Sequence, residues 1–74
     1  MDTVIKGTKT VEEFKQVRET LERLASEMSE LHMQAFESWS HGELKKAWFD
    51  SYGNLCIEYA DGKWWHYNER GEWW

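Results

Sequence analysis

The chain has 74 residues, with nine basic and fourteen acidic side chains and a net charge of −5, which leaves room for one domain around one small core. The acidic balance repels phosphates and argues against ordinary nucleic-acid binding, and no apolar run approaches the length of a membrane span. A single cysteine, Cys56, excludes an internal disulfide and a multi-cysteine zinc centre.

A core this small usually needs reinforcement, so residues 1–74 are expected to form one domain that assembles with copies of itself or with a partner. The lone thiol and the absence of a leader-like apolar stretch fit a cytoplasmic location. The aromatic load is uneven: five of the six tryptophans lie from Trp48 onward.

Residues 1–9 read as an extended segment with only Val4 and Ile5 as neighbouring apolar side chains. Thr10-Val11-Glu12-Glu13 has the form of a capping box. The Thr10 hydroxyl accepts from the Glu13 amide, and the Glu13 carboxylate reaches back to the Thr10 amide. Beyond it, Phe14, Val17, Leu21, Leu24, Met28, Leu31 and Ala35 alternate steps of three and four, the spacing of a heptad seam. Ala25, His32 and Trp39 widen that seam on one flank. With Gly42 as the stop, the helix spans residues 10–41 and is about 45 Å long. A four-stranded sheet is only about 15–20 Å wide, so such a helix overhangs it. The overhang predicts a homo-oligomer built through Phe14, Val17, Leu21, Leu24, Met28 and Leu31.

Residues 44–74 read as a three- to four-stranded antiparallel meander, giving an α+β fold. Asp50-Ser51-Tyr52-Gly53 closes the first hairpin and sets Trp48 opposite Cys56. Asp61-Gly62, taken as a two-residue turn, sets Tyr59 opposite Trp64 and Cys56 opposite Tyr67. Asn68-Glu69-Arg70-Gly71 repeats the first device and sets Tyr67 opposite Trp73. On these registers Ala47, Phe49, Leu55, Ile57, Tyr59, Trp64, His66 and Trp74 share the face that beds the helix. Trp48, Trp65, Tyr67 and Trp73, with Lys46 and Lys63 beside them, share the other face and form the expected binding surface.

Within the second half, Gly62-Lys63-Trp64-Trp65-His66-Tyr67-Asn68-Glu69-Arg70-Gly71 resembles one unit of the aromatic cell-wall-binding repeats. Those repeats build their sites between tandem copies; this chain has one, so no site residue carries over.

No spacing among His32, His41 and His66 makes a metal motif, Cys56 reads as packing, and no catalytic constellation or phosphate loop is present. No metal and no cofactor is expected. The functional expectation is a small non-enzymatic interaction protein that binds and blocks or scaffolds a larger macromolecule. Its size and acidity suit a phage or mobile-element inhibitor of a host defence system. The alternative is an oligomeric small-ligand binder, such as a nucleotide-sequestering protein, with aromatic residues between subunits.

Overall fold

A computed structural model describes residues 1–74 and shows an α+β architecture, one helix on one face of a four-stranded sheet. Strand β1 is Asp2–Val4, helix α1 is Val11–Gln34, and β2, β3 and β4 are Leu44–Phe49, Leu55–Tyr59 and Trp64–Tyr67. The strands lie side by side in chain order.

The sheet is mixed rather than antiparallel throughout. β1 runs parallel to β2, with Thr3 beside Ala47 and Val4 beside Trp48. Parallel neighbours need a long crossover, and α1 is that crossover. The expected extended segment therefore contains an edge strand. It is three residues long, too short to show alternation in the sequence.

The helix begins as the capping box predicts, with Thr10 Oγ1 accepting from the Glu13 amide at 3.1 Å. The Glu13 carboxylate reaches one residue further back than expected, to the Lys9 amide at 2.8 Å. The helix ends at Gln34, not at residue 41. The chain then leaves the helical path, and Trp39 folds back over His32, its Nε1–H donating to the Gly42 carbonyl at 2.8 Å. At 24 residues the helix is about 36 Å long.

The helix is rolled toward the Ala25 flank of the predicted seam. Leu21, Ala25, Ser29 and His32 are its buried residues, while Leu31 is 51% exposed. Small side chains at Ala25 and Ser29 let the backbone approach the sheet. Ser29 satisfies its own hydroxyl by donating to the Ser26 carbonyl at 3.1 Å. Leu21 is fully buried within the single chain and is unavailable as an oligomer contact; Leu24 and Met28 pack against the same core. Of the expected interface residues, Phe14 and Leu31 face solvent and Val17 is half-buried.

The β2–β3 register is the expected one, with Ala47, Trp48 and Phe49 opposite Ile57, Cys56 and Leu55. The β3–β4 register is displaced by one residue: Leu55, Cys56, Ile57 and Glu58 face Tyr67, His66, Trp65 and Trp64. The cause is the turn. The Tyr59 amide donates to the Lys63 carbonyl at 2.9 Å, and the Gly62 amide donates to the Tyr59 carbonyl at 2.9 Å. Ala60, Asp61 and Gly62 thus form a three-residue loop closed by a left-handed glycine, with φ +87° at Gly62. A one-residue slip exchanges the two faces of a strand. Trp65, Tyr67 and Trp73 therefore turn toward the helix, and Trp64, His66 and Trp74 turn away from it.

Candidate functional site

Residues on the helix-facing side of the sheet build an interior, not a surface. Ala47, Ile57, Tyr59 and Tyr67 are buried there with Leu21 and Ala25, and Trp65 and Trp73 pack against them. At one end His32 lies among six aromatic rings, stacked on Trp73 at 4.5 Å with Trp65 edge-on at 5.0 Å. The His32 Nδ1 and the Tyr67 hydroxyl are 2.6 Å apart, and the Tyr67 and Tyr59 hydroxyls are also 2.6 Å apart. One chain of donors satisfies all three: Tyr59 donates to Tyr67, and Tyr67 donates to neutral His32. This tautomer is assigned from the network. Burial lowers the His32 pKa and raises those of both tyrosines. Neutral, mutually satisfied groups of this kind hold a core together and leave nothing free to act on a substrate.

The opposite side of the sheet carries no helix. Trp48 on β2, Cys56 and Glu58 on β3, Trp64 and His66 on β4, and Trp74 lie on it. Trp64 is 49% exposed and Trp74 53% exposed. The rings touch in sequence: Trp48 and Trp64 at 5.5 Å, Trp64 and His66 at 5.0 Å, and His66 stacked on Trp74 at 5.1 Å and 4°. Lys46 sits 5.6 Å from the Trp48 ring, and Lys45 bridges to Glu58 at 3.5 Å.

The expected binding surface is therefore divided between the two sides. Trp48 and Lys46 belong to the open side and Lys63 to the exposed turn after Tyr59. Trp65 is half-buried under the helix, Trp73 is half-buried beside it, and Tyr67 is buried. Trp64, His66 and Trp74, expected on the face that beds the helix, lie instead on the open side, in the places expected for Trp65, Tyr67 and Trp73.

Under the open face the donor atoms of Asp50, Cys56 and His66 converge, all within 4.8 Å of one another. Cys56 is a buried free thiol. Burial first, and the Asp50 charge second, push that thiol up to about 11. A nucleophilic cysteine needs the reverse, a depressed pKa and access to substrate, so this Cys-His-Asp group is not arranged for acyl transfer. Asp50 keeps its charge. Partial burial works against ionisation, but hydrogen bonds from the Asn54 amide and side chain, and from the Tyr52 amide, hold its pKa below the ordinary carboxylate range.

A third feature is a depression of about 520 Å³ between the helix and two of the turns. Leu24, Met28, Phe49 and Leu55 line it, with Arg70 at its rim. No helix is long and apolar enough to cross a membrane. No protein family, curated protein or solved structure matches the chain.

Proposed function

We propose that this chain is a small non-enzymatic interaction protein that uses the open face of its sheet to bind, and so block or scaffold, a larger macromolecule. The observation that carries the reading is the run of Trp48, Trp64, His66 and Trp74 on the side the helix leaves uncovered. Tryptophans are among the residues that dominate interface energetics, and an exposed cluster of them has no role in the single chain's own core. The rim is polar, with Lys45, Lys46 and Glu58, as at protein interfaces. The net charge of −5 favours a basic protein partner over a nucleic acid. A role as a phage or mobile-element inhibitor of a host defence system agrees with the size and charge of the chain and rests on them alone.

The test is retention of a partner from a lysate of the native host by the tagged full chain. We expect Trp64→Ala to keep the circular dichroism spectrum and lose that partner. Equal retention by both chains would remove the open face from the reading.

Self-association through the outward side of the helix belongs to the same proposal. Leu31 is exposed there, and Phe14, one heptad before the buried Leu21, is exposed near the start of the helix; neither joins the core. A second reading, a small-ligand binder, draws on the depression beside Leu24 and Met28. Its volume lies within the roughly 300–1,000 Å³ usual for ligand sites. A nucleotide that protects the chain from unfolding, with the effect lost in Arg70→Ala, would favour it.

A further inference from the structure

We propose that Asp50, Cys56 and His66 form a site for one divalent transition-metal ion, zinc by the chemistry of its donors, beneath the aromatic row of the open face. The three donors come from separate parts of the sheet. Asp50 follows β2, Cys56 is central in β3, and His66 lies directly opposite Cys56 on β4. One carboxylate oxygen, one thiolate and one imidazole nitrogen is a donor set that zinc accepts. Thiolate and imidazole together disfavour magnesium and calcium, which take oxygen ligands.

The geometry is close to what such an ion requires. Zinc bonds of 2.0–2.3 Å at tetrahedral angles place ligand atoms roughly 3.3–3.7 Å apart. Here all three donor atoms lie within 4.8 Å of each other, and the His66 Nε2 to Asp50 Oδ2 distance is 3.9 Å. On this proposal the set closes by a contraction of about 1 Å, through rotation of the Asp50 and His66 side chains. Asp50 and His66 have room for that rotation, their side chains being 19% and 29% exposed. The same exposure leaves a path from solvent and a fourth position for water.

The supporting contacts are those that fix metal ligands. Asp50 Oδ1 accepts from the Tyr52 and Asn54 amides, each at 2.9 Å, and Oδ2, which accepts from the Asn54 side-chain amide at 3.3 Å, lies 3.9 Å from His66 Nε2. His66 Nδ1 lies 3.4 Å from the Trp74 carbonyl, and its ring is stacked on the Trp74 indole. Donation from Nδ1 to that carbonyl leaves the Nε2 lone pair facing Asp50, the outer contact usual for a ligating histidine. Cys56 is 1% exposed and free, a buried donor whose sulfur lies within 4.8 Å of both other donor atoms. The register sets His66 beside Cys56, and the contact between His66 and Asp50 at 3.9 Å brings the third donor to the same place. On binding, the ion displaces the thiol proton, and carboxylate plus thiolate neutralise its two charges.

The site stands whether or not the face above it binds a protein, and its test uses the metal alone. The full-length chain, freed of metal by chelator and desalted under argon, is titrated with Co²⁺ and then with Zn²⁺. We expect one equivalent of Co²⁺ to produce thiolate charge-transfer absorption in the near ultraviolet and tetrahedral d–d bands, both bleached by Zn²⁺. Zinc should also raise the melting temperature, because it binds the folded chain. His66→Gln and Asp50→Asn, checked first by circular dichroism, should each weaken binding by more than the roughly 10–100-fold that loss of an outer contact costs. His41→Gln should bind as the parent does. Absence of the charge-transfer band in the parent chain overturns the proposal. So does parental affinity in both His66→Gln and Asp50→Asn, and neither outcome depends on whether Cys56→Ser folds.

Discussion

Burial of the His32 ring among aromatic neighbours lowers its pKa by desolvation first and by the nearby His41 second. The folded chain therefore prefers neutral His32, with Nδ1 accepting from Tyr67. Below about pH 6.5, its ordinary value, the unfolded chain binds more protons than the folded one. Stability then falls as pH drops from that point through the lower folded value. Protonation also reverses the hydrogen-bond chain: Nδ1 must donate to Tyr67, Tyr67 to Tyr59, and the Tyr59 hydroxyl loses its acceptor. Urea midpoints measured from pH 7.5 to 5 should decline, and a constant or rising midpoint would contradict the assignment. Tyr67→Phe removes the shared hydroxyl and leaves two buried groups without their partner, for a loss of about 1–3 kcal/mol. Cys56 gives a separate residue-scale test. With its thiol raised to about 11 and buried, alkylation of the metal-free native chain at pH 7.5 should be at least about a hundredfold slower than in urea. None of this is legible in the residues alone. A histidine on a helix flank and a cysteine between Leu55 and Ile57 carry no mark of what will face them.

At the scale of elements, the start of the helix is legible in the sequence and its end is not. Thr10 and Glu13 act locally, so their spacing carries the signal. The end at Gln34 depends on Trp39 finding His32 and Tyr59, an arrangement that exists only once the sheet has formed. Gly42, which has the look of a helix stop, is instead a point of close approach. It has φ +81°, and a Cβ built on it would lie 2.8 Å from the Ala60 Cβ. The flanking chain pairs there, with the Ala60 amide donating to the Glu43 carbonyl at 2.9 Å. Gly42→Ala meets both the steric and the conformational penalty and should cost about 1–3 kcal/mol by chemical denaturation. The turn at Gly62 differs from its expected form although the signal for it is present in the sequence. Gly53, Gly62 and Gly71 fall at equal intervals, and each closes the same kind of loop. Asp61-Gly62 taken alone suggests a shorter turn, whereas taken with its neighbours it repeats theirs. The roll of the helix yields a further contrast. Leu21→Glu places a charge in the core and should abolish folding, while Leu31→Glu should fold normally and, if the outward side associates, reduce the mass measured by light scattering.

Across the whole molecule, the one-residue displacement of β4 decides which aromatic side chains form the interior and which meet solvent. The α+β class, the hairpin order and the β2–β3 register follow from local turn chemistry and are legible in the sequence. The faces of β4 are not, because both alternating sets of that strand are aromatic and polarity does not distinguish them. The same displacement hides the candidate metal site, since the expected register puts Tyr67 rather than His66 opposite Cys56. Trp64 and Trp65 are adjacent in sequence and chemically identical, so they report the register directly. Trp65 touches His32, Trp39, His41 and Tyr59 under the helix. Its truncation removes a large ring from the interior and should cost about 3 kcal/mol. For a domain whose total stability is of the order of 5–15 kcal/mol, that is a large share. Trp64 touches Trp48 and His66 on the open side and is half-exposed, so its truncation should change stability by no more than about 1 kcal/mol. Urea denaturation followed by circular dichroism, which does not depend on the deleted fluorophore, compares the two. Trp65→Ala should shift the midpoint strongly and Trp64→Ala slightly, and only Trp64→Ala should abolish partner binding while the fold persists. The reverse order of midpoints would place Trp64 beneath the helix, return β4 to the register of a two-residue turn, and separate His66 from Cys56.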